Sequence, residues 1–371
     1  MRKPAVSTKR AVLASVSAAL ALVCALVLAI PTTRDGLFQA WCSLSDGAGC
    51  AGGPVSPGRD LDENDWRLPL PPLQAATWGN YFALGDSYSS GDGADDYLPG
   101  TAVADGCWRS ANAYPEKIAD TYDFAGDLAF LACSGQRGNA MLESLGTTDS
   151  QLDRVTAHAS LVTIGIGGND LGFTSVLKTC MLRVPLLDSG ACIGQEEEID
   201  RRMGAFEETF EELIGEVRDR APDARVVVLG YPRLFPTEPT GMYYTLTSSD
   251  QVWLNETVER FNDQIRAAVD ITDTEIAEAG QTGSVEFVDV YDALAGHEVG
   301  SEDPWVNGVL LRDLTEGLKI DRSTFHPNAA GQEAVGERVR ERIEAGPGRT
   351  LYVSRATVEN ASPDVLASEV R

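Results

Sequence analysis

Residues 81–91 read Tyr-Phe-Ala-Leu-Gly-Asp-Ser-Tyr-Ser-Ser-Gly, an apolar run that ends on a serine among small, turn-forming residues. A buried strand holds its backbone rigidly, and Gly85 and Gly91 let the chain turn sharply at its end and expose the Ser87 hydroxyl. A hydroxyl is a poor nucleophile until a base removes its proton, and imidazole, which titrates near neutral pH, suits that task. The chain offers three histidines. His158 leads into the third apolar run, at the end of a sheet away from Ser87, and reads as structural. His297 follows the fifth run on the correct side, but Gly296-His297-Glu298-Val299 lacks the HExxH spacing of a metalloprotease. His326, within Phe325-His326-Pro327-Asn328, precedes a helix whose positive end disfavours the imidazolium and keeps the ring ready to accept a proton. It is the preferred base. Attack on an ester carbonyl produces an oxyanion. The candidate donors to it are the amide N–H of Ser87, that of Gly135 after Cys133-Ser134, and the side-chain amide of Asn169 in Gly167-Gly168-Asn169-Asp170.

These residues need a frame that brings their segments together. Short apolar runs near 81–86, 127–133, 161–166, 225–230 and 285–291 alternate with helical segments, the signature of a parallel sheet covered by helices. Ile199, Met203, Phe206, Phe210, Leu213 and Val217 recur three or four apart, as do Leu254, Val258, Phe261 and Ile265, and these stripes face a core. A last helix begins near Asn328, carries Val335, Val339 and Ile343 on one face, and stops at Gly346-Pro347. In an open parallel sheet ligands bind beyond the carboxyl ends of the strands, which is where Ser87, Gly135 and Asn169 fall. The serine is not in a GxSxG elbow, because position 89 is Ser, and Gly165-Ile166-Gly167-Gly168 is too loose a match to GxGxxG to indicate a nucleotide.

Around this frame the chain is acidic, with a net charge of −26 over 371 residues, so phosphate backbones would be repelled and nucleic acid is excluded as a partner. Residues 1–10 are basic and residues 11–30 carry no charge. Twenty helical residues at about 1.5 Å each span the roughly 30 Å bilayer core. The segment 11–30 therefore reads as an uncleaved signal anchor with its amino terminus inside, or else as a signal peptide. Residues 31–76 hold six prolines and six glycines and read as a linker, 77–346 as the folded domain, and 347–371 as a tail. Export accounts for the cysteines: with Cys24 in the apolar segment, six remain, and nearness in sequence favours Cys107 with Cys133, Cys180 with Cys192, and Cys42 with Cys50. The acidic loop Asp92, Asp95 and Asp96 matches no Ca²⁺-loop spacing and reads as solvated surface.

Gly85-Asp86-Ser87, Gly135, Gly167-Gly168-Asn169-Asp170 and Phe325-His326-Pro327-Asn328 resemble, in this order, the four blocks of the SGNH (GDSL) hydrolase family. Cys107-Trp108-Arg109-Ser110, Tyr231-Pro232-Arg233 and Pro304-Trp305-Val306-Asn307-Gly308 are similar to its extracellular, disulfide-bonded esterases and lipases. The resemblance, over about residues 77–345, implies a flavodoxin-like three-layer α/β/α sandwich with a five-stranded parallel sheet. It also implies a Ser-His catalytic pair and hydrolysis of carboxylic esters with no cofactor or metal. Many members carry an aspartate three residues before the histidine, where this chain has Ser323. Some extracellular members use a main-chain carbonyl instead, which implies the carbonyl of Ser323 as the group that orients His326, with Asp321 as the side-chain alternative. The expected substrate is a small-molecule or lipid ester and the expected state a monomer on the outer face of the cell membrane, or secreted. The rival expectation is a surface module that binds cell-wall glycan or lipid without catalysis. Among enzymes, lipase, phospholipase and carbohydrate deacetylase stay open, because the pocket is built by the variable loops 92–112 and 171–195.

Overall fold

The computed structural model describes residues 67–182, 191–309, 311–312 and 319–360. In chain order the elements that matter are β1 (Arg67–Leu70), α1 (Pro72–Thr77), β2 (Asn80–Gly85), α2 (Ser87–Ser90), α3 (Tyr114–Thr121), β3 (Leu128–Phe130) and α4 (Gly138–Glu143). They continue with β4 (Ala159–Gly165), α5 (Phe173–Leu182), α6 (Glu196–Arg220), β5 (Arg225–Leu229), α7 (Ser248–Glu278), β6 (Ser284–Val288), α8 (Ala329–Ala345) and β7 (Leu351–Ser354). Five strands form one parallel sheet in the order β3-β2-β4-β5-β6. Every residue of β4, β5 and β6 is buried, which is why these strands read as continuous apolar runs with no polar alternation.

Period-two alternation sorts the strand side chains onto two faces. Phe82, Leu84, Val162, Ile164, Val226 and Val228 pack with the apolar stripes of α6 and α7, whereas Tyr81, Ala83, Leu161, Val227 and Leu229 pack with Tyr114 and Ile118 of α3 and Val335, Val339 and Ile343 of α8. The result is the expected α/β/α sandwich. Its long helices are well terminated. In α6, Glu196, Glu197 and Glu198 occupy the first turn and Arg218 and Arg220 the last, matching the helix dipole. A capping box between Thr247 and Asp250 starts α7.

Strand β2 leads to β3 on one side of it, while β4, its neighbour on the other side, leads on to β5, so the chain leaves the carboxyl ends of these two adjacent strands in opposite directions. That divergence opens a crevice where ligands bind in sheets of this kind, and Ser87 stands there.

The folded domain is longer at both ends than the expected 77–346. Strand β1 pairs antiparallel with β7, from Arg67 opposite Ser354 to Leu70 opposite Leu351. Leu68, Leu70, Ala75, Trp78, Leu351 and Val353 form a small core of their own. The prolines at 71 and 72 are not spacer residues: Pro72 opens helix α1, where its missing N–H costs nothing. Among the described residues no helix is long and apolar enough to cross a membrane. The apolar segment 11–30, Cys42 and Cys50 lie outside them.

Candidate active site

Ser87 is the first residue of the single-turn helix α2, and Asp86 caps it by accepting the Tyr88 amide on Oδ1. Gly91 closes the turn in the left-handed conformation, at φ 76°, as a β-carbon would not allow cheaply. On the other side of the crevice the loop before α8 delivers His326, whose Nε2 lies 2.8 Å from Ser87 Oγ. Its Nδ1 lies 3.1 Å from the carbonyl oxygen of Thr324. The tautomer that satisfies both contacts donates from Nδ1 to the carbonyl and accepts the serine proton on Nε2.

The carbonyl that meets Nδ1 is therefore that of Thr324, not the expected Ser323. The carbonyl of Ser323 is turned into the tight turn, where it accepts the backbone N–H of His326. The carboxylate of Asp321 accepts the amide and hydroxyl of Ser323. Between them Phe325 has φ 64°, a conformation unfavourable for a bulky side chain. It is held there from two directions: its carbonyl accepts the Tyr88 hydroxyl at 2.6 Å, and its N–H donates to Asn307. The Asn307 N–H in turn donates to the His326 carbonyl.

Burial depresses the pKa of His326 below its usual 6.5, and the nearby charge of Asp92 opposes that shift, as does the Thr324 carbonyl. Asp92 is not the solvated loop residue expected. It is 1% exposed, accepts the Ser134 hydroxyl at 2.7 Å, and pairs with Arg322 at 3.0 Å. Asp95 and Asp96 are exposed, as expected.

Gly135 follows strand β3, with φ 81°, and Asn169 follows β4; both line the same cleft as Ser87 and His326. One amide hydrogen of Asn169 is fixed by the Gln136 carbonyl at 2.9 Å, which orients the other. The segment bearing Gly135 is anchored by the disulfide Cys107–Cys133, and α5 is tied to the start of α6 by Cys180–Cys192. His158 sits at the amino end of the sheet, where its carbonyl accepts the Asn80 amide. His297 lies on the carboxyl side but stacks on Trp305 and bonds through Nδ1 to the Asp303 carbonyl, outside the cleft.

Three supporting residues escaped the sequence reading. Tyr231 stands in a quoted motif, but nothing in the motif tells that its hydroxyl bonds Asp86. Gln332 lies on the buried stripe of α8, where a polar side chain needs partners: its amide bridges the Tyr88 carbonyl and the Tyr114 N–H. That polar interruption of an apolar face was the available signal. Gln151 pairs with both backbone groups of Gly85, at 2.9 and 3.1 Å, and no periodicity marks it.

A hydroxyl facing a neutral, oriented imidazole beside free backbone and amide donors is suited to acyl transfer. The pattern describing the GDSL-like Lipase/Acylhydrolase family matches residues 83–334, a span that includes every residue of this constellation. The chain belongs to that family. It is similar to a lipase of Streptomyces rimosus, 35% identical over 266 residues that cover 71% of this chain and 84% of the relative. It is 32% identical to Lipase 1 of Streptomyces coelicolor over 263 residues, covering 70% and 84%. Among solved structures it matches phospholipase A1 from Streptomyces albidoflavus, with a TM-score of 0.58 and 30% identity over 71% of this chain and 98% of that one. The extracellular lipase from Streptomyces rimosus matches with a TM-score of 0.57 and 30% identity, over 71% and 99%. This member of the GDSL-like family is a carboxylic ester hydrolase.

Proposed function

We propose that this hydrolase cleaves lipid esters outside the cell through an acyl-enzyme on Ser87, with His326 as base and then acid. The observation that carries the reading is the 2.8 Å contact between His326 Nε2 and Ser87 Oγ. It opens into a cavity lined by Leu171, Phe173, Leu234, Val258 and Phe261, a wall suited to an acyl chain.

In the forward step Nε2 takes the serine proton as Oγ attacks the carbonyl carbon. The oxyanion is received by the amides of Ser87 and Gly135 and the free amide hydrogen of Asn169. The imidazolium then gives its proton to the departing alcohol oxygen, and water, activated by the same ring, releases the acid. A carbonyl partner at Nδ1 fixes the ring without adding charge, and the buried Asp92 supplies part of the stabilisation that an adjacent carboxylate would give. The extracellular relative, the two disulfides and the uncharged segment 11–30 support export, with that segment as a membrane anchor or signal peptide and the domain acting as a monomer.

A fluorophosphonate probe tests the reading against a binding module on the same fold. Labelling of the folded protein that disappears in Ser87→Ala is the expected result; no labelling of the native chain would remove the nucleophile.

A further inference from the structure

Two consecutive residues, Ser87 and Tyr88, meet the loop that carries His326, and they meet it with different groups. Ser87 Oγ faces Nε2 of the imidazole, while the Tyr88 hydroxyl donates to the carbonyl oxygen of Phe325 at 2.6 Å. That carbonyl belongs to the peptide unit joining Phe325 to His326, and the N–H of the same unit donates to the Ser323 carbonyl at 3.1 Å. A peptide unit is planar, so a bond at each end fixes the plane from which the His326 side chain projects.

The plane needs holding. Phe325 has φ 64°, a conformation that a residue with a bulky side chain keeps only where its surroundings impose it. Tyr88 is itself well fixed. Its N–H donates to the Asp86 carboxylate at 3.0 Å, its carbonyl accepts the Gln332 amide at 2.9 Å, and its ring meets Tyr231 edge-on, 5.3 Å between centres, and His326 at 5.0 Å. Burial pushes the phenol pKa up, so the hydroxyl keeps the proton it donates.

We infer that Tyr88 is a positioning residue of the hydrolysis: its hydroxyl fixes the Phe325–His326 peptide plane and so holds Nε2 against Ser87 Oγ. The inference rests on the Ser87–His326 reading and adds to it a residue that moves no proton. Because Tyr88 and the nucleophile share the single turn of α2, a displacement of that turn carries the histidine loop along with the serine.

The test uses Tyr88→Phe, which removes the hydroxyl and keeps the ring. Its control is Tyr231→Phe, which deletes a buried hydroxyl bonded to Asp86 and Gly168 and not to the histidine loop. One readout is steady-state kinetics on a short-chain aryl ester. The other is the His326 Nδ1–H resonance in the proton NMR spectrum, which reports the contact with the Thr324 carbonyl. In Tyr88→Phe we expect kcat to fall on the order of tenfold with KM near native, and the resonance to shift or broaden. In Tyr231→Phe the resonance should keep its native position. Native kcat with an unmoved resonance in folded Tyr88→Phe overturns the positioning role. A raised KM with unchanged kcat assigns Tyr88 to substrate binding, and equal shifts of the resonance in both variants assign the effect to general loosening; either result also overturns it. Native turnover in Ser87→Ala overturns the catalytic reading instead.

Discussion

The hydroxyl of Tyr231, just past strand β5, lies 2.6 Å from Oδ2 of Asp86, the residue before the nucleophile, and also accepts the Gly168 amide at 3.0 Å. One phenol thus joins the carboxyl ends of β2, β4 and β5 directly beneath the reacting atoms. Asp86 is 1% exposed, and burial lifts its pKa from 3.8 to about 7, against the lowering effect of the Tyr231 and Tyr88 hydrogen bonds.

A buried carboxyl of this kind makes stability depend on pH with a definite sign. The folded chain holds the proton more tightly than the unfolded one, so the stabilisation is complete below pH 3.8 and is lost as pH rises through about 7. Asn in place of Asp86 cannot ionise and keeps a capping oxygen for the Tyr88 amide. The difference in melting temperature between Asp86→Asn and the native chain should therefore grow in favour of the variant between about pH 4 and pH 7. A difference that stays flat across that window would show Asp86 to be ionised throughout.

On the proposed mechanism the acid limb of activity belongs to His326. Because burial holds its pKa below 6.5, kcat/KM should rise with pH through a midpoint under that value and then level off. Asp92 raises the histidine pKa, so Asp92→Asn should move the midpoint further down and lower the plateau, while the retained side-chain oxygen still accepts the Ser134 hydroxyl. A pH–rate profile of the two proteins measures both effects. An unmoved midpoint would exclude Asp92 from the electrostatics of the base.

How far the sequence reveals this arrangement depends on the range of the interaction. The parallel sheet and its covering helices follow from apolar periodicity, which is local, and Ser87, Asn169 and His326 were legible because each ends a run or precedes a helix. Asp92 was misread because its burial comes from Arg322 and Ser134, both distant in sequence. The orienting carbonyl was displaced by one residue, from 323 to 324, because the positive φ of Phe325 reverses the turn and sequence carries no direct signal for it. The β1–β7 pair was hidden by prolines that open a helix in one place and resemble a linker in composition.

Asn169 should contribute in the transition state and little to ground-state binding. With its side chain fixed by the Gln136 carbonyl, Asn169→Ala should reduce kcat by roughly 10² to 10³ and leave KM close to native. Steady-state kinetics on a short-chain aryl ester decide it, and a rate within twofold of native would take the side chain out of the oxyanion site.

The close approach of the Ser87 loop to the His326 loop gives a last test that substitutes neither of those two residues. Gly93 has φ 104°, and a β-carbon there would fall 2.8 Å from Asn307 Nδ2 and 2.9 Å from His326 Cβ. Asn307 cannot yield freely, because its side chain donates to the Gly93 carbonyl and its backbone brackets Phe325 and His326. Gly93→Ala must therefore push the base loop away from Ser87, in addition to straining its own backbone. Displacement of about 1 Å at a reacting group can cost on the order of 10² in rate. We expect kcat to fall by about that factor while fluorophosphonate labelling of Ser87 slows in parallel. Native kinetics in a folded Gly93→Ala protein would show that the two loops move independently.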